Sequence, residues 1–360
     1  MRLLRRGKMD RWALGRSRNT TVTSAGNLGS SRQNTHTASQ TLTPDPPKTV
    51  GEQENVVGVL AMDVVTGAFG YTGRFITRRL LLSTSVVRTL TGHPDRPNPF
   101  GKQVEVAPFA FDDRPALVAS LRGVDVLYNT YWIRFSRGDV TFDRAVRNTR
   151  HLVDAAVEAG ARRIVHLSIA NPGSSSLPYF TGKARAEQVV MESSLPYAIV
   201  RPTVLFGCGD VLINNIAWLL RRLPVFGIAG SGDYRICPVH VDDVAAVAVA
   251  VGRREDDVVV DAVGPETYTF DELVDLIAAT VGHRPVILHV PPRIVLSLAT
   301  ALGLIVRDVV VTGDELAGLA ADLVATDGAP TGTVRLSEWL TEHADEVGRE
   351  YASELGRHYR

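Results

Sequence analysis

The stretch that decides the fold is Val65-Thr66-Gly67-Ala68-Phe69-Gly70-Tyr71-Thr72-Gly73. An apolar, β-branched run precedes it and an amphipathic pattern follows it, so the segment joins a strand to a helix. Its three glycines permit a tight turn, close approach of the backbone to phosphate, and close packing of helix on sheet. A nucleotide site is therefore predicted at the helix N-terminus. Its predicted contacts are Gly67, Phe69, Gly70, Tyr71, Thr72 and Gly73.

Strand and helix patterns alternate after this segment. The predicted strands are 56–66, 85–90, 104–108, 124–129, 163–168, 197–201 and 257–263. The predicted helices between them are 72–82, 114–121, 140–159 and 179–193. The strand patterns are almost continuously hydrophobic, as is typical of parallel strands covered on both faces. The predicted fold class is therefore α/β, a doubly wound parallel sheet.

The chain divides by composition into three parts. Residues 1–55 are rich in polar residues and Arg without sustained periodicity, which predicts a disordered tail, a transit peptide or a mis-annotated start before Met62. Residues 56–206, completed by 237–264, are predicted to form the nucleotide-binding core. Residues 207–236 and 265–360 are predicted to form a smaller, mostly helical substrate lobe at the carboxyl edge of the sheet.

Charge argues against a general nucleic-acid-binding role, and binding of nucleic acid through the basic tail is the third alternative. The chain has 39 basic and 39 acidic residues, but residues 1–50 hold nine Lys/Arg and two acids. That segment therefore has a net charge of +7 and residues 51–360 have a net charge of −7, so residues 51–360 offer no net positive charge for binding nucleic acid. The two cysteines are too few for a disulfide framework, which favours a reducing, cytoplasmic location, and no histidine spacing indicates a metal site.

The longest apolar run, 294–306, is too short to cross a bilayer, which takes about 20 residues. We therefore expect no membrane span, and we interpret this run as a buried helix.

Tyr179 and Lys183 form a Tyr-x-x-x-Lys pair at the start of a predicted helix. Residues four apart share one helix face, so the ammonium is expected beside the phenol. A neighbouring cation lowers a phenol's pKa from about 10. Tyr179 could then exchange a proton with a substrate oxygen.

Together with the glycine segment, these motifs resemble the extended and atypical short-chain dehydrogenase/reductase superfamily over roughly residues 60–290. The NmrA-like and complex-I-accessory-subunit-like branches are the most similar. The resemblance implies a Rossmann fold and a catalytic triad of Ser168, Tyr179 and Lys183, in which Lys183 also holds the nicotinamide ribose. It implies an NAD(P)-dependent oxidoreductase, or an epimerase using a transient ketone. The alternative is a non-catalytic NAD(P)-binding regulator or assembly factor, and the presence of Tyr179 and Lys183 favours the enzyme.

The resemblance also implies further cofactor contacts. Asp112 is expected beside the adenine, Asn129 at the end of the fourth strand, and Pro202 and Thr203 beside the nicotinamide. Residues 87–94 carry no acid for the ribose hydroxyls, which favours NADP(H) over NAD(H). Arg88 is the predicted partner of the 2′-phosphate, with His93 and Arg96 as alternatives.

Four residues after the fourth predicted strand are candidates for the substrate pocket. They are Tyr131, Trp132, Arg134 and Phe135. Aromatic rings with one cation suit a small molecule that has an apolar body and a polar or anionic group. Asn214 and Asn215 are further candidates for this cleft.

Overall fold

The computed structural model describes residues 62–83 and 86–358. The predicted tail, 1–55, lies outside the described residues. The strands are β1 (Met62–Thr66), β2 (Val86–Thr91), β3 (Val104–Pro108), β4 (Val124–Asn129), β5 (Arg163–Leu167), β6 (Tyr197–Pro202), β7 (Val204–Phe206), β8 (Val225–Ala229), β9 (Arg235–Ile236), β10 (Pro238–His240), β11 (Val258–Ala262), β12 (Tyr268–Thr269) and β13 (Val286–Val290).

The helices follow the predicted alternation through the first half of the chain. They are α1 (Tyr71–Leu82), α2 (Arg114–Ser120), α3 (Phe142–Glu158), α4 (Pro178–Met191), α5 (Leu212–Leu220), α6 (Val241–Gly252), α7 (Phe270–Val281), α8 (Pro292–Val306), α9 (Gly313–Ala320), α10 (Leu336–Glu342) and α11 (Glu354–His358).

A seven-stranded sheet has the order β3-β2-β1-β4-β5-β6-β11, and all its strand pairs are parallel. The strand order reverses between β1 and β4, and ligands of such sheets bind outside the carboxyl ends of the strands at that point. The glycine segment connects β1 to α1 there. The predicted fold class, a doubly wound α/β sheet, is confirmed.

Two hydrophobic clusters cover the two faces of this sheet. Helices α1 and α6 pack on one face, with Ile76 and Val244 fully buried. Helices α2, α3 and α4 pack on the other, with Leu152 and Val190 fully buried. Covering both faces explains why the strands are hydrophobic without alternation.

The C-terminal part of the chain builds a separate hydrophobic cluster around α5, α7 and α10, with Phe206, Ile213 and Leu273 fully buried. Three short strand pairs support it: β7 with β10, β9 with β12, and β8 with β13.

The apolar run 294–306 does not form the buried helix that its composition predicted. Helix α8 contains the run, and none of its residues is buried. The helix contacts β8 but has no further layer over it among the described residues, so much of its apolar surface faces outward. Among residues 62–83 and 86–358, no helix combines the length and apolar character needed to cross a membrane.

Candidate functional site

The glycine turn between β1 and α1 is packed so closely that glycine is required at two positions. Gly67 has φ +66°, and its N–H donates to the Leu90 carbonyl at 2.8 Å. A Cβ at Gly73 would lie 2.2 Å from the Gly67 carbonyl oxygen. Gly70 stands immediately before α1, and its N–H donates to the same oxygen at 2.8 Å. Because the glycines have no side chains, the backbone at the start of α1 can be approached closely. Such a helix N-terminus can bind the pyrophosphate of a dinucleotide.

Aromatic and cationic side chains flank this turn. Phe69 stacks on Phe100 at 6.5 Å between ring centroids. The guanidinium carbons of Arg74 and Arg357 lie 5.4 and 5.7 Å from the Tyr71 ring centroid. The Tyr71 hydroxyl is buried without a hydrogen-bond partner among the described residues. Two cations beside a helix N-terminus suit an anionic ligand.

Tyr179 and Lys183 lie on α4, but the ammonium is not paired with the phenol. Lys183 Nζ donates to the Leu167 carbonyl at 2.9 Å, and burial lowers its pKa to about 7. Burial, and then the Glu315 carboxylate, raise the pKa of the Tyr179 phenol. The expectation that Lys183 lowers this pKa is therefore wrong for this structure. At neutral pH the phenol keeps its proton, as a proton donor must.

Trp132 contacts both members of the pair. Lys183 Nζ lies 4.7 Å from the centroid of the indole, and the Tyr179 ring packs edge-on at 6.3 Å. A Cβ at Gly182 would lie 3.2 Å from the indole, so the glycine lets Trp132 lie close to α4. The indole thus packs across the helix face that carries the two residues.

Ser168 directly follows β5 and has an unused hydroxyl. Its backbone N–H donates to the Val200 carbonyl at 2.8 Å, which fixes the residue to β6. Its Oγ is buried and has no hydrogen-bond partner in the described part of the chain. Leaving a buried hydroxyl unpaired costs about 1–3 kcal/mol, so the position fits a site where a bound group supplies the partner.

Two predicted cofactor contacts are corrected by the geometry. Arg88 lies in the middle of β2, where Nε donates to Glu105 at 2.9 Å and Nη1 to the Ser120 carbonyl at 2.8 Å. Those bonds hold its guanidinium away from the carboxyl edge of the sheet. Asn129 is fully buried, and its amide donates to His166 Nδ1 at 3.0 Å. Its side chain orders the strand ends and has no surface left for a cofactor.

The other cofactor candidates lie at the sheet's carboxyl edge. Pro202 ends β6, and the adjacent Thr203 hydroxyl donates to the Cys237 carbonyl at 2.5 Å, which leaves that hydroxyl occupied. Asp112 is exposed beside Asp113, which caps α2 by accepting the Ala116 N–H at 3.1 Å.

A cavity of about 1240 Å³ extends from Tyr71, the first residue of α1, into the C-terminal lobe. Tyr71 and Tyr179 both line it, together with Arg134, Phe135 and a mostly aliphatic wall. Two of the four predicted pocket residues are therefore in its wall. Of the others, Trp132 covers α4 as described, and Tyr131 packs on Phe109 and Phe111.

The two predicted asparagines mainly hold the C-terminal segment in place. Asn214 donates to the Glu350 carbonyl at 2.9 Å, and Asn215 donates to the Ala352 carbonyl at 3.0 Å. Asn215 also borders the cavity, while Asn214 is not part of its lining.

Sequence reasoning missed two acids in the cavity wall. Glu315 receives a bidentate ion pair from Arg134, at 2.5 Å from Nε and 3.1 Å from Nη2. Asp210 is buried, one oxygen accepts the Asn214 N–H at 3.1 Å, and burial raises its pKa to about 7. The capping-box spacing Thr312-x-x-Glu315 is a sequence signal that could have identified Glu315. No sequence pattern marks Asp210.

Within residues 62–83 and 86–358, the fold also assembles one group of possible metal ligands that no sequence spacing indicated. Ligand atoms of Cys208, His343 and Glu346 lie within 4.8 Å of one another, and the cysteine and glutamate are exposed. The expectation of no metal site overlooked this group because its members are far apart in sequence.

Comparisons with known proteins agree with a dinucleotide-binding site at this turn. Residues 67–209 match a family model described as NAD(P)H-binding. The chain is 33% identical over 230 residues to a (4-alkanoyl-5-oxo-2,5-dihydrofuran-3-yl)methyl phosphate reductase of Streptomyces griseus, covering 62% of this chain and 75% of that protein. It is 24% identical over 305 residues to subunit 9 of the NADH dehydrogenase [ubiquinone] 1 alpha subcomplex of Arabidopsis thaliana, covering 78% of this chain and 75% of that protein.

Among solved structures, the NADPH complex of an NADPH-dependent quinone oxidoreductase from Escherichia coli shares the fold. The TM-score is 0.65 at 20% sequence identity, and the match covers 78% of this chain and 99% of that one.

Proposed function

This chain belongs to the NAD(P)-binding, Rossmann-type family of extended short-chain dehydrogenases/reductases and NmrA-like proteins, and on that premise we propose that it reduces a carbonyl group on a small apolar molecule. The observation that carries the proposal is a single cavity lined by both Tyr71 of the glycine turn and Tyr179. Tyr179, whose phenol has a raised pKa, thus borders the same cavity as the first residue of α1.

Each residue then has a defined part in the reaction. A nicotinamide dinucleotide held by the glycine turn and Lys183 would supply the hydride for the carbonyl carbon. Tyr179 donates its proton to the oxygen, which completes the alcohol, and the Ser168 hydroxyl donates a hydrogen bond to that oxygen. Lys183 is hydrogen-bonded to the Leu167 carbonyl, next to Ser168 in the chain. Its amino group would there donate a hydrogen bond to the nicotinamide ribose. The Glu315 carboxylate helps to keep the phenol protonated.

The cavity wall indicates the substrate class. Its lining is mostly aliphatic and aromatic, with Arg134 as one of few cations, so an apolar body fits better than a sugar. The Streptomyces relative is named for a substrate with an alkanoyl chain and a phosphate, which is in line with such a body. NADP(H) is the proposed cofactor because β2 ends without a carboxylate for the ribose hydroxyls.

The test compares two tyrosine variants in steady-state turnover and cofactor titration. Tyr179→Phe keeps the ring and should lower turnover by about 10²–10⁴-fold, the usual contribution of a positioned acid, with dinucleotide affinity nearly unchanged. Tyr197→Phe, on a partly buried tyrosine at the start of β6, is the matched control and should leave both unchanged. Full turnover in Tyr179→Phe would remove the phenol from the mechanism.

A non-catalytic dinucleotide-binding role is the second candidate, and one observation favours it. The ammonium of Lys183 is covered by the Trp132 indole and is not paired with the phenol. The complex I subunit relative shows that the similarity extends to a protein named as a subunit of an assembly. On this reading the wild type shows no turnover with carbonyl substrates, and only Lys183→Ala, not Tyr179→Phe, changes dinucleotide affinity.

A further inference from the structure

Helix α8 presents an unusually apolar surface. Leu304 and Ile305 are 79% and 78% exposed, and Leu298 is 61% exposed. Single exposed leucines are common, but several large aliphatic residues on one helix form a contiguous apolar surface that marks an interaction site. No part of the proposed reaction uses this surface.

The same helix also lines the cavity. Leu298 belongs to the cavity wall, as do Leu288 of β13, Val225 of β8 and the neighbouring Leu223. Each of these four is at least 40% exposed, so the cavity opens to the outside between α8 and the β8–β13 pair. The rim of the opening therefore continues directly into the exposed face of α8.

The segment that contains β13 and α8 carries only basic charges, although the cavity lining also includes the acids Asp314, Glu315 and Glu354. Residues 282–307 contain three Arg, two His and no acid, although residues 51–360 as a whole are −7. Arg284 and Arg293 are exposed, and neither guanidinium has an ion pair within the described ranges. In this segment His289 contacts Asp271 at 2.9 Å. Arg293 at the start of the apolar helix, and Arg284 just before β13, complement an anionic lipid surface, where the headgroups meet the guanidinium groups and the acyl chains meet the leucines.

We propose that α8 and the adjacent β8–β13 pair dock on an anionic lipid bilayer, with the mouth of the cavity facing the acyl region. At 15 residues the helix is too short to cross, so it lies in the interface. An apolar molecule then moves from the bilayer into the cavity without entering water. The exposed guanidinium groups of Arg284 and Arg293 beside this apolar surface favour an anionic bilayer as the occupant. The statement about substrate entry rests on the proposed function, whereas docking itself does not.

Vesicle sedimentation of the full chain tests the docking. The double substitution Leu304→Gln with Ile305→Gln keeps good helix formers but removes two large apolar groups from the interface. Binding to vesicles of phosphatidylglycerol and phosphatidylcholine should fall at least about tenfold. Leu82→Gln, on an 86% exposed leucine at the end of α1, is the matched control and should bind like the wild type.

The basic segment 1–50 could itself attract anionic vesicles, so a second measurement reports the inserted residue. Leu304→Trp should show additional fluorescence quenching by brominated phospholipids, and Leu82→Trp should not. Equal binding by the double variant, or equal quenching at the two positions, would overturn the proposal. So would concentration-dependent dimers, seen by sedimentation velocity, that the double variant abolishes, because the face would then belong to a second copy.

Unchanged melting temperature and dinucleotide affinity in the glutamine variants establish that they are folded. Vesicle binding needs no turnover, so its failure leaves the role of Tyr179 intact. Conversely, full activity in Tyr179→Phe would not affect the docking result.

Discussion

A graded series of glycine-to-alanine substitutions tests the cofactor-binding turn. A Cβ at Gly73 would lie 2.2 Å from the Gly67 carbonyl oxygen and 2.8 Å from its carbonyl carbon, against an ordinary contact of 3.4 Å or more. Relief requires the backbone at Gly67 to move by about 1 Å. The same Cβ at Gly70 would lie 3.1 Å from that oxygen, and at Gly173 it would meet nothing within 4 Å.

These distances set an order of effects. Overpacking costs about 1–3 kcal/mol, and the better helix propensity of alanine offsets about 1 kcal/mol. For Gly73→Ala, where the obstacle is rigid backbone, we expect a net loss of about 2 kcal/mol in the free energy of unfolding. We also expect at least a tenfold weaker dinucleotide affinity, which is about 1.4 kcal/mol. Gly70→Ala should have a smaller effect, and Gly173→Ala should match the wild type.

Urea unfolding and titration with NADPH and NADH measure the two quantities on the same variants. Wild-type affinity in Gly73→Ala would show that the turn does not carry the dinucleotide. Losses of equal size at Gly173 would show that contact distance is not the cause.

Two further predictions concern buried charges in the cavity wall. Burial raises the pKa of Asp210 from 3.8 to about 7, so the folded state retains a proton that the unfolded state releases, and stability should fall as pH rises from about 4 to 7. Asp210→Asn should flatten that fall, as measured by melting temperatures at pH 5 and pH 8; an equally steep fall in the variant would assign it to other groups. Arg134→Met leaves the half-buried Glu315 unpaired and should cost about 1–3 kcal/mol in urea unfolding, while Arg254→Met, which breaks an exposed pair with Asp256, should leave the urea midpoint almost unchanged. Equal losses in the two arginine variants would contradict the role given to burial.

Local sequence was enough to predict the architecture of the core. The β1–turn–α1 unit is encoded within a dozen residues, because a positive φ at Gly67 and the lack of space at Gly73 are properties of the turn itself. The alternating apolar runs predicted the strands of the parallel sheet to within a few residues, and residues 56–61 of the first predicted strand lie outside the described range. A strand covered on both faces must be hydrophobic throughout, and that pattern is visible without any tertiary information.

Side-chain partners were decided only by the tertiary structure. Spacing on α4 placed Tyr179 and Lys183 on one face, but the ammonium instead bonds the Leu167 carbonyl on a neighbouring strand. Arg88 was expected at the cofactor and is held by Glu105 on the adjacent strand. Each of these choices depends on which strand lies beside which, and no local pattern reports that order.

Burial in the C-terminal lobe shows the same limit. The composition of the run 294–306 predicted a buried helix, yet whether an apolar helix is covered depends on how many layers the chain places over it. The sequence by itself determined where turns, strands and helices form, because φ preferences and hydrophobic periodicity act over a few residues. The tertiary structure decided which polar groups are paired, which acid is buried and which apolar face remains open, because those depend on contacts between segments far apart in the chain.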